Sequence, residues 1–249
     1  MSESVAIVSS RETAALQRSR RRTLRATEIA LIGFGAAVTT MLVLAALFGP
    51  DVAPYDPIAV SLSYRLLPPS FEGGAPHWLG TDQLGRDIFA RILHAARVTI
   101  SIALVAVTLS AAIGFIFGVV SGYFPGAADL IVSRIVDVQL AFPTILLAIT
   151  IVAVFGTSVP MLIVVFVIAG WVRYVRIIRA QTLVLREMQF IEASRAIGAT
   201  SLRIIAKHLI PNLRTEIIIL MNLEIGRIIL IESSLSYLGL GLVLLRRGR

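Results

Sequence analysis

The chain has no cysteine among its 249 residues, which removes disulfide frameworks and thiolate chemistry. Lysine is nearly absent, with Lys207 alone, and the three histidines (His77, His94, His208) are scattered. None of them has a second ligand or a triad partner at the spacing of His-Glu-x-x-His or Gly-x-Ser-x-Gly, which argues against an intramembrane enzyme. Charge is scarce as well: 15% of residues are charged against 57% hydrophobic, too apolar for an ordinary soluble domain. Ten-residue alternating segments are missing, so a β-barrel is not indicated. The net charge of +8 is carried almost wholly by arginine, but no aromatic-studded basic face accompanies it, and no nucleic-acid partner is expected.

What remains is a set of long, continuous apolar runs, the mark of a polytopic all-α membrane protein. Residues 1–28 are polar, with Arg18, Arg20, Arg21, Arg22 and Arg25 before the first run, and read as a cytoplasmic tail. Residues 29–49 form the first span, closed by Gly49-Pro50; no small-residue cleavage site follows, so it reads as an anchor and not a removed signal peptide. Residues 50–97 are a proline- and glycine-rich loop in which acids outnumber bases, as suits the extracytoplasmic side. Asp87 is placed there to cap a helix.

The core runs from 98 to 245. Its first span, Val98 to Val120, carries Gly114, Gly118 and Gly122 four apart on one face, a small-xxx-small pattern that lets helix backbones approach closely. Residues 121–137 read as a cytoplasmic turn broken at Tyr123-Phe124-Pro125-Gly126. Val138 to Phe155 is the next span, with Pro143 tolerated early or kinking it. Another begins at Met161; Arg173, Arg176 and Arg179 mark its cytoplasmic end and snorkel toward phosphates. Ile217 to Leu245 is the fifth span, in which Glu224, Arg227 and Glu232 are costly unless paired or facing a wet cavity. Glu224 and Arg227 are three apart and can pair along the helix. Two readings stand for these charges, a translocation path or a satisfied interhelical contact.

Between the last two spans, residues 181–213 form a basic loop: from Trp171 to Asn212 bases outnumber acids seven to two, which places it in the cytoplasm. Its sequence predicts two short helices joined at Gly198, the second amphipathic through Leu202, Ile205 and Leu209. Pro211 is expected to end the helix, with Ile210 pushed from helical geometry. On pattern alone a membrane-surface helix or a plain cytoplasmic hairpin reads equally well.

The run Glu192-Ala193-Ser194, then Gly198, then His208-Leu209-Ile210-Pro211-Asn212 resembles the EAA signature of ATP-binding-cassette importer permeases, in its dipeptide, oligopeptide and nickel branch. Gly80-Thr81-Asp82, Gly85-Arg86-Asp87, Arg91 and Arg97 resemble the block before that branch's second span, and Glu232 to Leu242 a block at the end of its fifth. The resemblance, covering about residues 25 to 242, implies the type I importer transmembrane fold, in which members add a sixth span. Here the chain ends in Leu-Val-Leu-Leu-Arg-Arg-Gly-Arg, so five spans are expected: either a truncated chain or a fifth span that does not finish crossing. It further implies a permease subunit in the cell membrane, without cofactor or metal and hydrolysing nothing itself. The implied partners are a second homologous permease, two ATPase subunits and an extracytoplasmic binding protein, with peptides, nickel or another small solute as cargo. Glu192, Ala193, Ser194, Gly198, Leu202, Ile205, His208 and Pro211 would then form the coupling element, Glu192 as polar anchor, Gly198 as turn, and Leu202 with Ile205 as the face buried in the ATPase groove.

Overall fold

A computed structural model of the chain describes residues 27, 29–70 and 77–237. Nearly all of the expected tail and residues 238–245 of the expected fifth span lie outside the described residues. The chain divides into two compact units, Met1–Arg97 and Val98–Arg249.

In the first unit, α1 (Ile29–Val52) is 24 residues long. At 1.5 Å per residue it measures about 36 Å, enough to cross a hydrocarbon core. It runs past Gly49-Pro50: the Ala53 N–H bonds to the Gly49 carbonyl at 2.9 Å, so the proline is absorbed in the last turn. The loop beyond it folds around Asp82. That carboxylate accepts from the Leu84 N–H at 2.8 Å, from Arg86 through Nε and Nη2 at 2.7 Å each, and from Arg91. Gly85, at φ +72°, is held where an added Cβ would lie 1.8 Å from the Ser61 carbonyl oxygen. No other residue fits that turn, which is the physical content of the Gly-Arg-Asp block. Asp87 caps the next helix through Oδ2 to the Ala90 N–H at 2.7 Å, while its Oδ1 meets His77 Nδ1 at 2.9 Å.

The long helix α2 (Ile88–Tyr123) enters the second unit from Val98 on. There it is followed by α3 (Ala127–Leu140), α4 (Thr144–Phe155), α5 (Val159–Arg186), α6 (Gln189–Ala196), α7 (Ser201–Ile204), a π-helical turn (Ile205–Leu209) and α8 (Ile210–Tyr237). Ile102, Ala106, Val152, Leu162, Phe166, Ile228 and Leu235 interlock in one buried cluster that joins α2, α4, α5 and α8. Helix α2 lies against α5 along its glycines. A Cβ on Gly114 would come within 2.3 Å of Tyr174 Cβ, one on Gly118 within 2.8 Å of Ile178 Cβ, and one on Gly122 within 2.6 Å of Thr182 Cβ.

The segment expected as a turn over 121–137 is largely helix. Only Phe124 to Gly126 breaks the chain; α3 then carries Asp129, whose carboxylate takes Arg179 in a two-pronged pair at 2.6 and 2.8 Å. The span expected over Val138–Phe155 is broken, because α3 and α4 meet at 80°. Pro143 has no N–H to continue the ladder. Gln139 pins the break from the other side, donating to the Ile168 carbonyl and accepting from Trp171 Nε1 at 2.6 Å. By length and composition three described helices, α1, α2 and α5, can cross a membrane, or four with the bent α3–α4 pair taken as a single span. Helix α8, the fifth expected, has 28 residues and is long enough, but it holds Glu224, Arg227 and Glu232 in the stretch that would have to be apolar.

Candidate functional site

Two groups of polar and charged residues stand out in the second unit. The first is the polar insertion between α5 and α8. Helix α6 buries Ile191 and turns Glu192 and Ala193 to solvent, with Glu192 in the first turn, where a negative charge favours the helix dipole. Gly198, at φ +81°, reverses the chain after Ile197; an L side chain is strained there whatever the free space around it. Thr200 then caps α7, its hydroxyl accepting from the Arg203 N–H. Ile204, Leu209 and Leu213 pack inward with Ile191, Val119, Tyr123 and Ile178, so the insertion is seated on the ends of α2 and α5. The two ends of the motif meet: Ser194 Oγ lies 3.3 Å from His208 Nε2, and the Phe190 and His208 rings are 5.9 Å apart. Arg195 lies over the Tyr123 ring at 5.4 Å.

Two apolar side chains on this insertion are left bare: Ile197 is 86% and Leu202 79% exposed. Ile205, expected beside Leu202 on an outward face, is half-buried against the chain's own core. The expected stop at Pro211 does not occur. Ile210 has φ −54° and ψ −49°, inside the helical region, and its N–H reaches back five residues to the Ile205 carbonyl. The wider turn over Ile205–Leu209 makes room for the proline ring, which would otherwise meet the carbonyl four residues back. The His208 carbonyl is taken by the Asn212 side-chain amide at 2.7 Å. Helical backbone therefore continues from Ser201 to Tyr237.

The second group lies where α5 and α8 cross. Arg173 is thirteen residues before the end of α5 and Glu224 fourteen after the start of α8, both about 20 Å from those ends, so they meet at one level. Glu224 is 2% exposed. Its Oε1 accepts from Arg227 Nη1 at 3.1 Å, and its Oε2 lies 3.6 Å from Arg173 Nε with no hydrogen-bond partner. The pair expected along α8 thus has a third member on α5. Reading Arg173 and Arg179 as snorkelling groups missed this, since both turn to carboxylates of other helices. No local spacing could have announced partners 51 and 50 residues away. Glu232 stands apart, half-buried beside Thr99 of α2. A cavity of about 690 Å³ opens next to the ion pair, lined by Arg173, Arg176, Arg227, Gln181, Thr144 and Leu140 among others. Among the described residues no group of histidine or acidic side chains could hold a metal ion.

Residues 114–248 match the family model described as the binding-protein-dependent transport system inner membrane component, and residues 17–69 the N-terminal transmembrane domain of oligopeptide transport permease C. The chain is 37% identical over 221 residues to the dipeptide transport system permease protein DppC of Bacillus subtilis, covering 89% of this chain and 67% of that one. Against the oligopeptide transport system permease protein OppC of the same organism it is 35% identical over 232 residues, 93% of this chain and 74% of the relative. A glutathione transport system permease protein, GsiD of Escherichia coli, is 39% identical over 208 residues, 83% and 67% of the two chains. With a broken α3–α4 segment, glycine-seamed helices and a motif-bearing insertion that match in sequence this widely, the chain belongs to the binding-protein-dependent transport family, as an ABC importer permease of the DppC and OppC type with the type I importer membrane fold.

Proposed function

We propose that this chain carries short peptides across the cell membrane as one of two permease subunits, its N-terminus in the cytoplasm, driven by two ATPase subunits and supplied by an extracytoplasmic binding protein. The observation that carries the coupling half of this reading is the bare apolar pair Ile197 and Leu202, presented on an insertion seated firmly on the spans. A short helix offering two uncovered aliphatic side chains fits a groove on a partner, and helix-in-groove contacts take their affinity from such anchors. Glu192, exposed on α6 and without an ion-pair partner among the described residues, serves as the polar anchor beside them. Ala193 and Ser194 keep that face small, Gly198 makes the turn, Ile205 and His208 brace the element from within, and Pro211 follows the wide turn into α8. Closure of the ATPase pair on nucleotide would then move α6 and α7, and with them α8, so that the spans open to one side or the other. Such coupling requires contacts that differ between the two states. The peptide assignment is supported by the cargoes named for the relatives: dipeptides, oligopeptides and glutathione.

The test pairs assembly with transport. Charging the bare face by the double substitution Ile197→Asp and Leu202→Asp leaves the buried contacts untouched. It should cut co-purification of the ATPase subunits at least tenfold and abolish uptake of labelled dipeptide, with membrane insertion unchanged. ATPase recovery at the wild-type level would remove the coupling assignment. Absence of peptide uptake in cells carrying the wild-type chain and its partners would remove the peptide assignment.

A further inference from the structure

The cavity between α5, α8 and the α3–α4 break is positively charged on two walls. Arg173 and Arg176 reach it from α5 and Arg227 from α8. Against these three guanidinium groups the cluster holds one carboxylate, Glu224, which is itself buried and shared between Arg173 and Arg227. Arg176 has no ion-pair partner among the described residues; Asp137 lies with it only in the lining of a neighbouring cavity of about 300 Å³. The excess is therefore two positive charges at the level where α5 and α8 cross. Charges at such depth are costly unless something answers them.

The break between α3 and α4 adds to this field. Thr144, the first residue of α4, lines the cavity, and that helix start has no side-chain cap, so the N–H groups of its first turn are open. At the preceding end of α3 the Asp137, Val138 and Gln139 carbonyls are taken by the N–H groups of Ala141 and Phe142. The broken pair thus turns the positive end of α4 toward the cavity. Interrupted membrane helices place their positive ends toward anionic groups for this reason. The volume, about 690 Å³, falls in the range of small-molecule sites, and Gln181 adds a neutral hydrogen-bonding group to the lining.

We propose that Arg173, Arg176, Arg227 and the open start of α4 form a binding site for an anionic oxygen group, and that its ligand is the terminal carboxylate of the transported peptide. The identity of the ligand rests on the peptide reading given above; the anion site itself does not. Guanidinium groups pair with carboxylates through parallel N–H bonds, which gives both strength and orientation. Arg176 is the group free to make this contact at once, while Arg173 and Arg227 are held in place by Glu224. A phosphate of a lipid headgroup has the same chemistry and is the competing source.

The 249-residue chain is tested in nanodiscs of phosphatidylcholine, measuring equilibrium binding of labelled tri-alanine and of its C-terminal amide. The free acid should bind at least about tenfold tighter than the amide, the loss expected for one charge-assisted contact. Arg176→Ala should bring the acid to the level of the amide and leave the amide unchanged, and Arg176→Lys should recover part of the preference. Equal binding of acid and amide, no binding of either at millimolar peptide, or a preference that survives Arg176→Ala overturns the proposal. Native mass spectrometry of the chain from anionic-lipid discs separates the sources. A phosphatidylglycerol molecule lost on Arg176→Ala and not displaced by the tripeptide assigns the arginines to lipid and overturns the peptide carboxylate. If cells import no peptide while the acid-over-amide preference persists, the importer reading fails and the anion site stands. Peptide import with no such preference in the discs sinks the site and leaves the importer reading intact.

Discussion

Asp82 shows how much a single carboxylate organises. Burial alone would raise its affinity for a proton, but the Arg86 side chain and the backbone N–H groups of Arg86 and Leu84 outweigh that and hold its pKa at about 2, below the usual 3.8. A carboxyl whose folded value is depressed contributes stability above its unfolded value and loses it as pH falls through the folded one. The Asp82 contribution is thus complete above about pH 5 and is lost progressively as the pH falls through 3.8 to about 2 and below. Asp82→Asn should lower the thermal midpoint of the purified protein at pH 7, and the gap from wild type should close as the pH is taken toward 2. A gap that is unchanged at low pH would mean that the loop is held by something other than this charge. The Gly-Thr-Asp and Gly-Arg-Asp blocks were legible in the sequence as turn chemistry. Their convergence on one carboxylate was not, because Arg91 reaches it from nine residues away.

Among the elements, the seam between α2 and α5 is the most demanding. Gly114→Ala puts a methyl 2.3 Å from Tyr174 Cβ and 2.7 Å from the Trp171 carbonyl oxygen, positions that real contacts never occupy, so the helices must separate. Overpacking of this kind costs roughly 1–3 kcal/mol. Gly226 on α8 has nothing within 4 Å of where its Cβ would be, and alanine there removes the flexibility penalty of glycine in a helix. Gly114→Ala should therefore lower the melting temperature in detergent, and Gly226→Ala should leave it unchanged or raise it. Equal effects at the two sites would contradict the close approach.

The spacing of Gly114, Gly118 and Gly122 could be read without coordinates because it repeats along one helix face. Helix α3 could not. Pro125-Gly126 signals a break, and Asp129, Arg134 and Asp137 look like solvated turn residues until Asp129 is seen to hold Arg179. Pro211 misled in the same way. A proline stops a helix only where its ring collides with the carbonyl of the preceding turn, and one wide turn over Ile205–Leu209 removes the collision.

For the molecule as a whole, the sidedness assigned to the second unit can be read directly, since the chain has no cysteine of its own. Thr157 lies just before α5 and Ile197 follows it beyond α6; both are exposed, and α5 between them spans 28 residues, about 42 Å. In intact cells an impermeant maleimide should label Thr157→Cys and spare Ile197→Cys, and everted vesicles should give the reverse. Labelling of Ile197→Cys in intact cells would displace the insertion from the cytoplasm and with it the coupling proposal.

One feature of the backbone has mechanical weight at this scale. From Ser201 to Tyr237 the helix is never interrupted by a loop, although it contains a proline and a π turn. Leu202 at its tip and Glu224 in the ion pair with Arg173 belong to the same rod. A push on the tip is consequently carried toward the buried charges along continuous helical backbone, with the wide turn over Ile205–Leu209 as the place where the rod can flex. A tilt of α7 that this turn does not absorb therefore loads the pair of Glu224 with Arg173.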